Sequence, residues 1–166
     1  MNIRPDPAAP ADLRELTRGE HLVVWALRAF VADCFDHAMV RRGFEDACGA
    51  RAPEASMAFL VFAQALVLRG RRRICVGAPG RLALTRDEQQ IAALFADAQA
   101  ADRAGFDARL AFLLGRPAEA PFFAAAETTA RALAACGRRL RAFGAGRAAG
   151  PAAPRPSRDL GLAVVA

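Results

Sequence analysis

The segment between Pro53 and Gly70 constrains the fold most, because it is apolar on every face of a helix. From Met57 to Leu68, twelve residues are interrupted by a single polar side chain, Gln64. A membrane-spanning helix needs about 20 apolar residues, so we interpret this segment as a core helix. We expect it to be the most buried element of the protein, with the other helices packed around it.

A chain of 166 residues that is 54% apolar can form one domain around its own core without disulfide bonds. The cysteines lie far apart in the sequence, among apolar neighbours, which favours reduced core residues. The N-terminus lacks the basic segment and apolar run of a secretory signal, so we expect a cytoplasmic protein. All 23 basic residues are arginine, which we interpret as the codon bias of a GC-rich bacterial genome.

Helix boundaries are indicated by capping motifs, glycines and prolines. Thr17 and Glu20 match a capping box, as do Thr85 and Glu88. The first helix continues through apolar residues at helical spacing, and either Gly43 or Gly49 is its expected end. The remaining signals predict helices over residues 54–69, from Thr85 onward, over 106–114, and from Pro121 to Gly137.

A short β-hairpin is predicted at residues 72–84. Ile74 and Val76 alternate with less apolar residues, and Pro79-Gly80 suits the centre of a type II turn. The sequence therefore predicts an all-α protein, an orthogonal bundle of about five helices around a central buried helix, with one hairpin.

The domain organisation follows from composition at the two ends. Residues 1–15 contain three prolines and predict an extended lead-in. Residues 16–143 form the predicted helical domain, and residues 144–166 a flexible tail rich in Ala, Gly, Pro and Arg. Within that tail, Leu160 to Val165 is apolar and either docks as a terminal strand or stays loose.

The sequence contains none of the common catalytic, zinc or phosphate-binding motifs, such as Cys-x-x-Cys, His-Glu-x-x-His or Gly-x-Ser-x-Gly. We therefore predict no catalytic residue, no cofactor and no metal, and a non-catalytic function. One cluster, Asp33, Cys34 and His37, has the side chains of a metal or acid-base site. It is kept as a third alternative, beside the simpler interpretation of a helix-internal ion pair with a packed cysteine.

A protein partner is predicted from the polar strip of the first helix. His21, Trp25 and Arg28 lie on this strip, and tryptophan and arginine are favoured at protein interfaces. The first two helices also carry more apolar surface than a small helical body covers by itself. We therefore predict an interaction or regulatory module with no membrane association, and self-association as a homodimer is its simplest form.

Nucleic-acid binding is the alternative function. The segment from Arg69 to Arg86 contains six arginines and no acidic residue. Arg71, Arg72, Arg73 and Arg81 would lie along the predicted hairpin and contact phosphates. A solvated basic loop gives the same pattern, so the alternative stays open here.

Overall fold

The computed structural model describes residues 12–32, 37–117 and 119–141, together with the backbone of 162–165. Within these residues there are six α-helices, two single-turn 3₁₀ helices and two short strands. The prediction of a mainly helical bundle is confirmed. The helices are α1 Arg18–Ala32, α2 Ala38–Cys48, α3 Ala52–Arg69, α4 Arg86–Gln99, α5 Arg103–Leu114 and α6 Ala120–Ala135; the 3₁₀ helices are Leu13–Glu15 and Gly49–Arg51; and the strands are β1 Ile74–Gly77 and β2 Leu162–Val165.

Both predicted capping boxes are present. The amide of Glu20 donates to the Thr17 hydroxyl at 3.3 Å, and the Glu20 carboxylate accepts from the Thr17 amide at 2.8 Å. The same two bonds join Thr85 and Glu88 at 3.1 and 2.8 Å. These bonds satisfy amides that have no partner inside the helix, which is why α1 and α4 begin where the sequence predicts.

The core is organised around phenylalanine rings from four helices. Phe59 of α3 lies between Phe44 of α2 and Phe95 of α4, with ring centroids 5.5 and 5.9 Å apart. Phe62 contacts both Phe95 and Phe122 of α6 at 4.9 and 5.7 Å. All five rings are buried, so α3 is central to the core, as the sequence predicts.

The burial of α3 is less complete than predicted. Its residues Met57, Val61 and Leu68 are exposed, whereas every residue of α4 from Ile91 to Ala98 is buried. The expectation that α3 is the most buried element is therefore wrong. The reason is that α3 contacts α1, α2, α4 and α6, but these contacts leave the side with Met57, Val61 and Leu68 uncovered in the described part of the chain.

The predicted first helix is two helices. It was expected to run from Thr17 to Gly43 or Gly49, but α1 ends at Ala32 and α2 begins at Ala38. Gly49 does end α2, with its φ at 51°. The two helices contact each other, which two parts of one continuous helix cannot do. The spacing of the apolar residues does not indicate where the chain turns between them.

The strand near residue 75 has a different partner from the one predicted. The turn is present, because the Arg81 amide donates to the Ala78 carbonyl at 3.1 Å and Gly80 has φ of 85°. However, β1 pairs in parallel with β2, with Ile74 opposite Leu162. The residues after the turn, which the prediction placed in the second strand of the hairpin, contact the N-terminal segment instead. The Leu13 amide donates a hydrogen bond to the Leu82 carbonyl at 2.9 Å.

Parts of the predicted ends lie outside the described residues. These are 1–11 of the lead-in and 142–161 and 166 at the C-terminus; residues 33–36 and 118 inside the predicted domain also lie outside the described residues. The described end of the lead-in forms the 3₁₀ turn Leu13–Glu15, and residues 162–165 of the predicted tail form β2. The domain boundaries themselves stay a prediction.

One helical run, Ala38–Arg69, meets the length and composition of a membrane span. Core helices meet the same criteria. A straight helix would separate Phe44 and Phe59 by about 22 Å at 1.5 Å per residue, but their rings lie 5.5 Å apart. The run therefore folds back near Gly49, so that α2 packs along α3.

Candidate interaction surfaces

The polar strip of α1 does not form one surface. His21 is exposed and Trp25 is half-buried, but Arg28 is only 3% exposed. The Trp25 ring lies against Gly43 of α2, where an added methyl would come within 2.7 Å of ring atom Cη2. Trp25 therefore packs α1 against α2, and only part of its ring is available to a partner.

The Arg28 guanidinium can be buried because it forms an ion pair with Glu88 of α4, which offsets the cost of removing its charge from water. Its Nε lies 2.6 Å from Glu88 Oε1 and its Nη2 lies 2.9 Å from Oε2, a bidentate arrangement. The guanidinium also donates to the carbonyls of Arg81 and Ala83. The prediction that Arg28 contacts a partner is corrected, since its donors are used inside the protein.

An open groove remains beside His21 and Trp25. It has a volume of about 280 Å³ and lies between α1 and α2, and it is lined by Arg18, His21, Leu22, Trp25, Gly43, Ala47 and Arg138. A second cavity of about 300 Å³ lies on the other side of Trp25, lined by Leu13, Trp25, Arg28, Ala29, Ala32, Met39, Pro79 and Gly80. The predicted contact residues His21 and Trp25 thus remain accessible from the groove.

The four arginines of the predicted phosphate-binding ribbon fall into two groups. Arg71 and Arg73 are exposed. Arg72 forms an ion pair with Asp87, donates to the Phe112 carbonyl at 3.2 Å, and stacks over the Phe112 ring at 4.8 Å. Arg81 is half-buried.

Arg72 therefore has an internal role, because Asp87 also accepts from the Cys75 amide at 2.8 Å and so joins β1 to α4. Only Arg71 and Arg73 remain as exposed side chains of the four. Nucleic-acid binding through this segment stays a prediction.

The apolar excess of the first two predicted helices indicated an uncovered surface, but the sequence did not predict its position, which is one side of α3. Met57, Val61 and Leu68 are 56%, 48% and 82% exposed, and Gln64 is exposed between them. These four residues, here called the α3 face, follow one line along the helix because they are spaced by four, three and four positions. A signal for this face was present: Gln64 is the polar interruption in the apolar run, and it marks the side that meets solvent.

The shifted titratable groups each have a local explanation. Burial raises the pKa of the Asp97 carboxyl, an effect partly offset by Arg109, whose Nε lies 2.7 Å from Asp97 Oδ2. Hydrogen bonding to Arg69 lowers the pKa of Glu119. These acids belong to ion pairs that join neighbouring elements, an arrangement typical of structural contacts.

The third predicted site lies partly outside the described residues and stays a prediction. Asp33 and Cys34 lie outside the described residues, and the His37 ring stacks on Phe30 with centroids 5.3 Å apart. In the described part of the chain, no group of three or more His, Cys, Asp or Glu side chains could hold a metal ion.

Comparison with known families, curated proteins and solved structures finds no match to this chain.

Proposed function

We propose that this chain is a helical protein–protein interaction module that forms a homodimer through the α3 face. The supporting observation is the row of exposed apolar side chains Met57, Val61 and Leu68 on one side of a core helix. Exposed apolar side chains grouped on one side of an element are favoured where a protein contacts another protein.

The rigidity of the face supports a role as an interface. The opposite side of α3 carries Phe59 and Phe62, both nearly inaccessible to solvent and packed in the ring cluster. The backbone of α3 is therefore held in place before any partner arrives. A preorganised helix backbone loses little conformational entropy on binding, so less of the contact energy of the face is offset when a partner binds.

The charges at the two ends of α3 favour a second copy as the partner. Exposed Glu54 lies at the N-terminal end beside Arg51, and exposed Arg71 follows the C-terminal end, where Arg69 pairs with Glu119. If two copies pack antiparallel about a two-fold axis near the middle of the helix, Glu54 of each copy meets Arg71 of the other. Such an interface is self-complementary, and it also sets the helix dipoles antiparallel.

The experiment compares two substitutions of equal exposure. Val61→Glu places a charge at the centre of the α3 face, whereas Leu82→Glu places one on the loop after β1, and the two side chains are 48% and 49% exposed. We expect sedimentation velocity to give the wild type and Leu82→Glu twice the chain mass of 17.6 kDa. Val61→Glu should have the mass of a single chain, because it sets like charges against each other near the two-fold axis.

Two results would overturn the proposal. One is a wild-type protein that stays monomeric across the concentration series. The other is a Val61→Glu protein that dimerises as tightly as the wild type. Circular dichroism spectra of all three proteins establish that each is folded. If the wild type is monomeric, sedimentation with neutral lipid vesicles tests whether the α3 face contacts a lipid surface instead. In that case the protein sediments with the vesicles.

A further inference from the structure

Two cysteines distant in the sequence meet where α2 and α6 end. The Cys136 Sγ lies 3.3 Å from the carbonyl oxygen of Cys48, although 88 positions separate the two residues. Cys136 also packs against the core cluster to which Cys48 belongs. Both cysteines are in the free thiol form, so the structure places an unbridged dithiol at this junction.

The two thiols differ in accessibility. Cys48 belongs to the buried core, whereas Cys136 is half-buried and packs against the core from its edge. This asymmetry is what a stepwise thiol–disulfide exchange requires: one thiol that an oxidant can reach, and one beside it that is shielded.

We propose that Cys48 and Cys136 form a redox-modification site that closes to a disulfide, with a low-molecular-weight disulfide as the oxidant. In the first step, the Cys136 thiolate attacks one sulfur of the small disulfide. A Cys136 mixed disulfide forms and one small thiolate leaves. In the second step, the Cys48 thiolate attacks the Cys136 sulfur and expels the second small thiolate. The two protein thiols lose two protons and two electrons in total, and one small disulfide becomes two small thiols.

The order of the two steps follows from the surroundings of Cys48. Burial, together with the neighbouring Cys136 thiol, raises the pKa of Cys48 to about 11, so this thiol is a poor first nucleophile at neutral pH. The positive charge of Arg138 acts on Cys48 in the opposite direction and favours its thiolate. Cys48 therefore acts as the resolving thiol, which needs to react only with the sulfur already beside it.

Closing the bridge would join the ends of two core helices. Ala47 and Arg138 line the groove beside His21 and Trp25, and each lies within two positions of one of the cysteines. Oxidation would therefore fix one wall of this groove. It would also limit the conformations of the unfolded chain, and we expect the thermal midpoint to rise on oxidation.

The test is performed on the full reduced chain with oxidised glutathione in excess, followed by alkylation of the remaining thiols. Trypsin releases Cys48 within residues 43–51 and Cys136 within residues 132–138. We expect mass spectrometry to detect these two peptides joined, and the thermal midpoint to rise. Cys75→Ser is the matched control and should give the same joined peptides. Cys136→Ser should give none and should show no rise in midpoint.

Three results would overturn the proposal. Both thiols could remain open to alkylation after oxidation, or glutathione could stay attached to Cys136 without transfer to Cys48. The joined peptides could also contain Cys34 or Cys75 in place of one member of the pair. Because the wild-type protein itself gives the decisive masses, the test does not depend on whether a variant folds.

Discussion

Among residues, the cysteine thiols dominate the alkaline titration of this chain, because the sequence contains no lysine and no tyrosine. Cys48 is the buried thiol whose pKa lies at about 11, above its ordinary value of 9.0. In the unfolded chain this thiol loses its proton at a lower pH than in the folded chain. Between pH 9 and 11 the folded state therefore holds more protons than the unfolded state. The free energy of unfolding must then fall as the pH rises through this range.

We predict a loss of about 1–3 kcal/mol from Cys48 across this range, at about 1.4 kcal/mol per pKa unit. Urea unfolding of the reduced protein at pH 8, 9, 10 and 11 measures it. Cys48→Ala should flatten the dependence, whereas Cys75→Ala should preserve it. An equal slope in the wild type and in Cys48→Ala would show that Cys48 does not titrate as we infer.

Arginine side chains divide into those that stabilise the fold and those that remain on the surface. Arg28 and Arg72 are anchored by the carboxylates of Glu88 and Asp87, two residues at the start of α4. Their sequence surroundings give no indication of this difference, since Arg71 and Arg73 flank Arg72 directly and are exposed. Only the position of an acidic partner decides which arginine is available to a ligand.

Among elements, the link between α1 and α4 passes through one buried ion pair. Glu88 is fully buried and, besides Arg28, it accepts from the Gly77 amide at 3.0 Å and from the Thr85 amide at 2.8 Å. The same carboxylate thus holds α1, the end of β1 and the capping box of α4. An added methyl at Gly77 would lie 2.8 Å from Arg28 Nη2, so the backbone must approach the guanidinium closely here.

We predict that Arg28→Met lowers the free energy of unfolding by about 3–5 kcal/mol, because it leaves the Glu88 charge buried without its partner. Adding Glu88→Gln to Arg28→Met should recover part of this loss, since the neutral amide removes the unpaired charge. Urea unfolding followed by far-ultraviolet circular dichroism measures both. A loss below 1 kcal/mol for Arg28→Met, or a further loss in the double variant, would contradict this role of the pair.

At the scale of the whole molecule, the proposed dimer depends on charge as well as on the α3 face. Among the described residues, Glu54 forms an exposed contact with Arg51, with Arg51 Nη1 3.6 Å from Glu54 Oε2, and an exposed pair contributes little to stability. Glu54 is therefore free to meet the basic end of α3 in a second copy. Two such contacts would form in a symmetric dimer, one at each end of the interface.

We predict that Glu54→Arg and Arg71→Glu each weaken the dimer several-fold, from two contacts of about 0.2–1 kcal/mol each. The double variant should regain most of the wild-type affinity, because it exchanges the two charges and restores the attraction. Sedimentation velocity at low and high salt measures this, and salt should reduce the differences. Additive weakening in the double variant would exclude the antiparallel arrangement.

The sequence alone was sufficient for the helical class, for both capping boxes and for the helix ends at Gly70 and Gly115. These features involve residues within one helical turn of each other, so the pattern that predicts them also contains all the partners. The same holds for the turn at Pro79-Gly80, which closes over four residues.

The remaining features depend on partners far along the chain. Arg28 meets Glu88 across 60 positions, and β1 pairs with a strand more than 80 residues later. The exposure of the α3 face follows from which helices cover α3, and an evenly apolar helix does not indicate its uncovered side except at Gln64. Local spacing determines where helices begin and end, but burial is decided when the whole chain packs, because only then do distant side chains replace water around each residue.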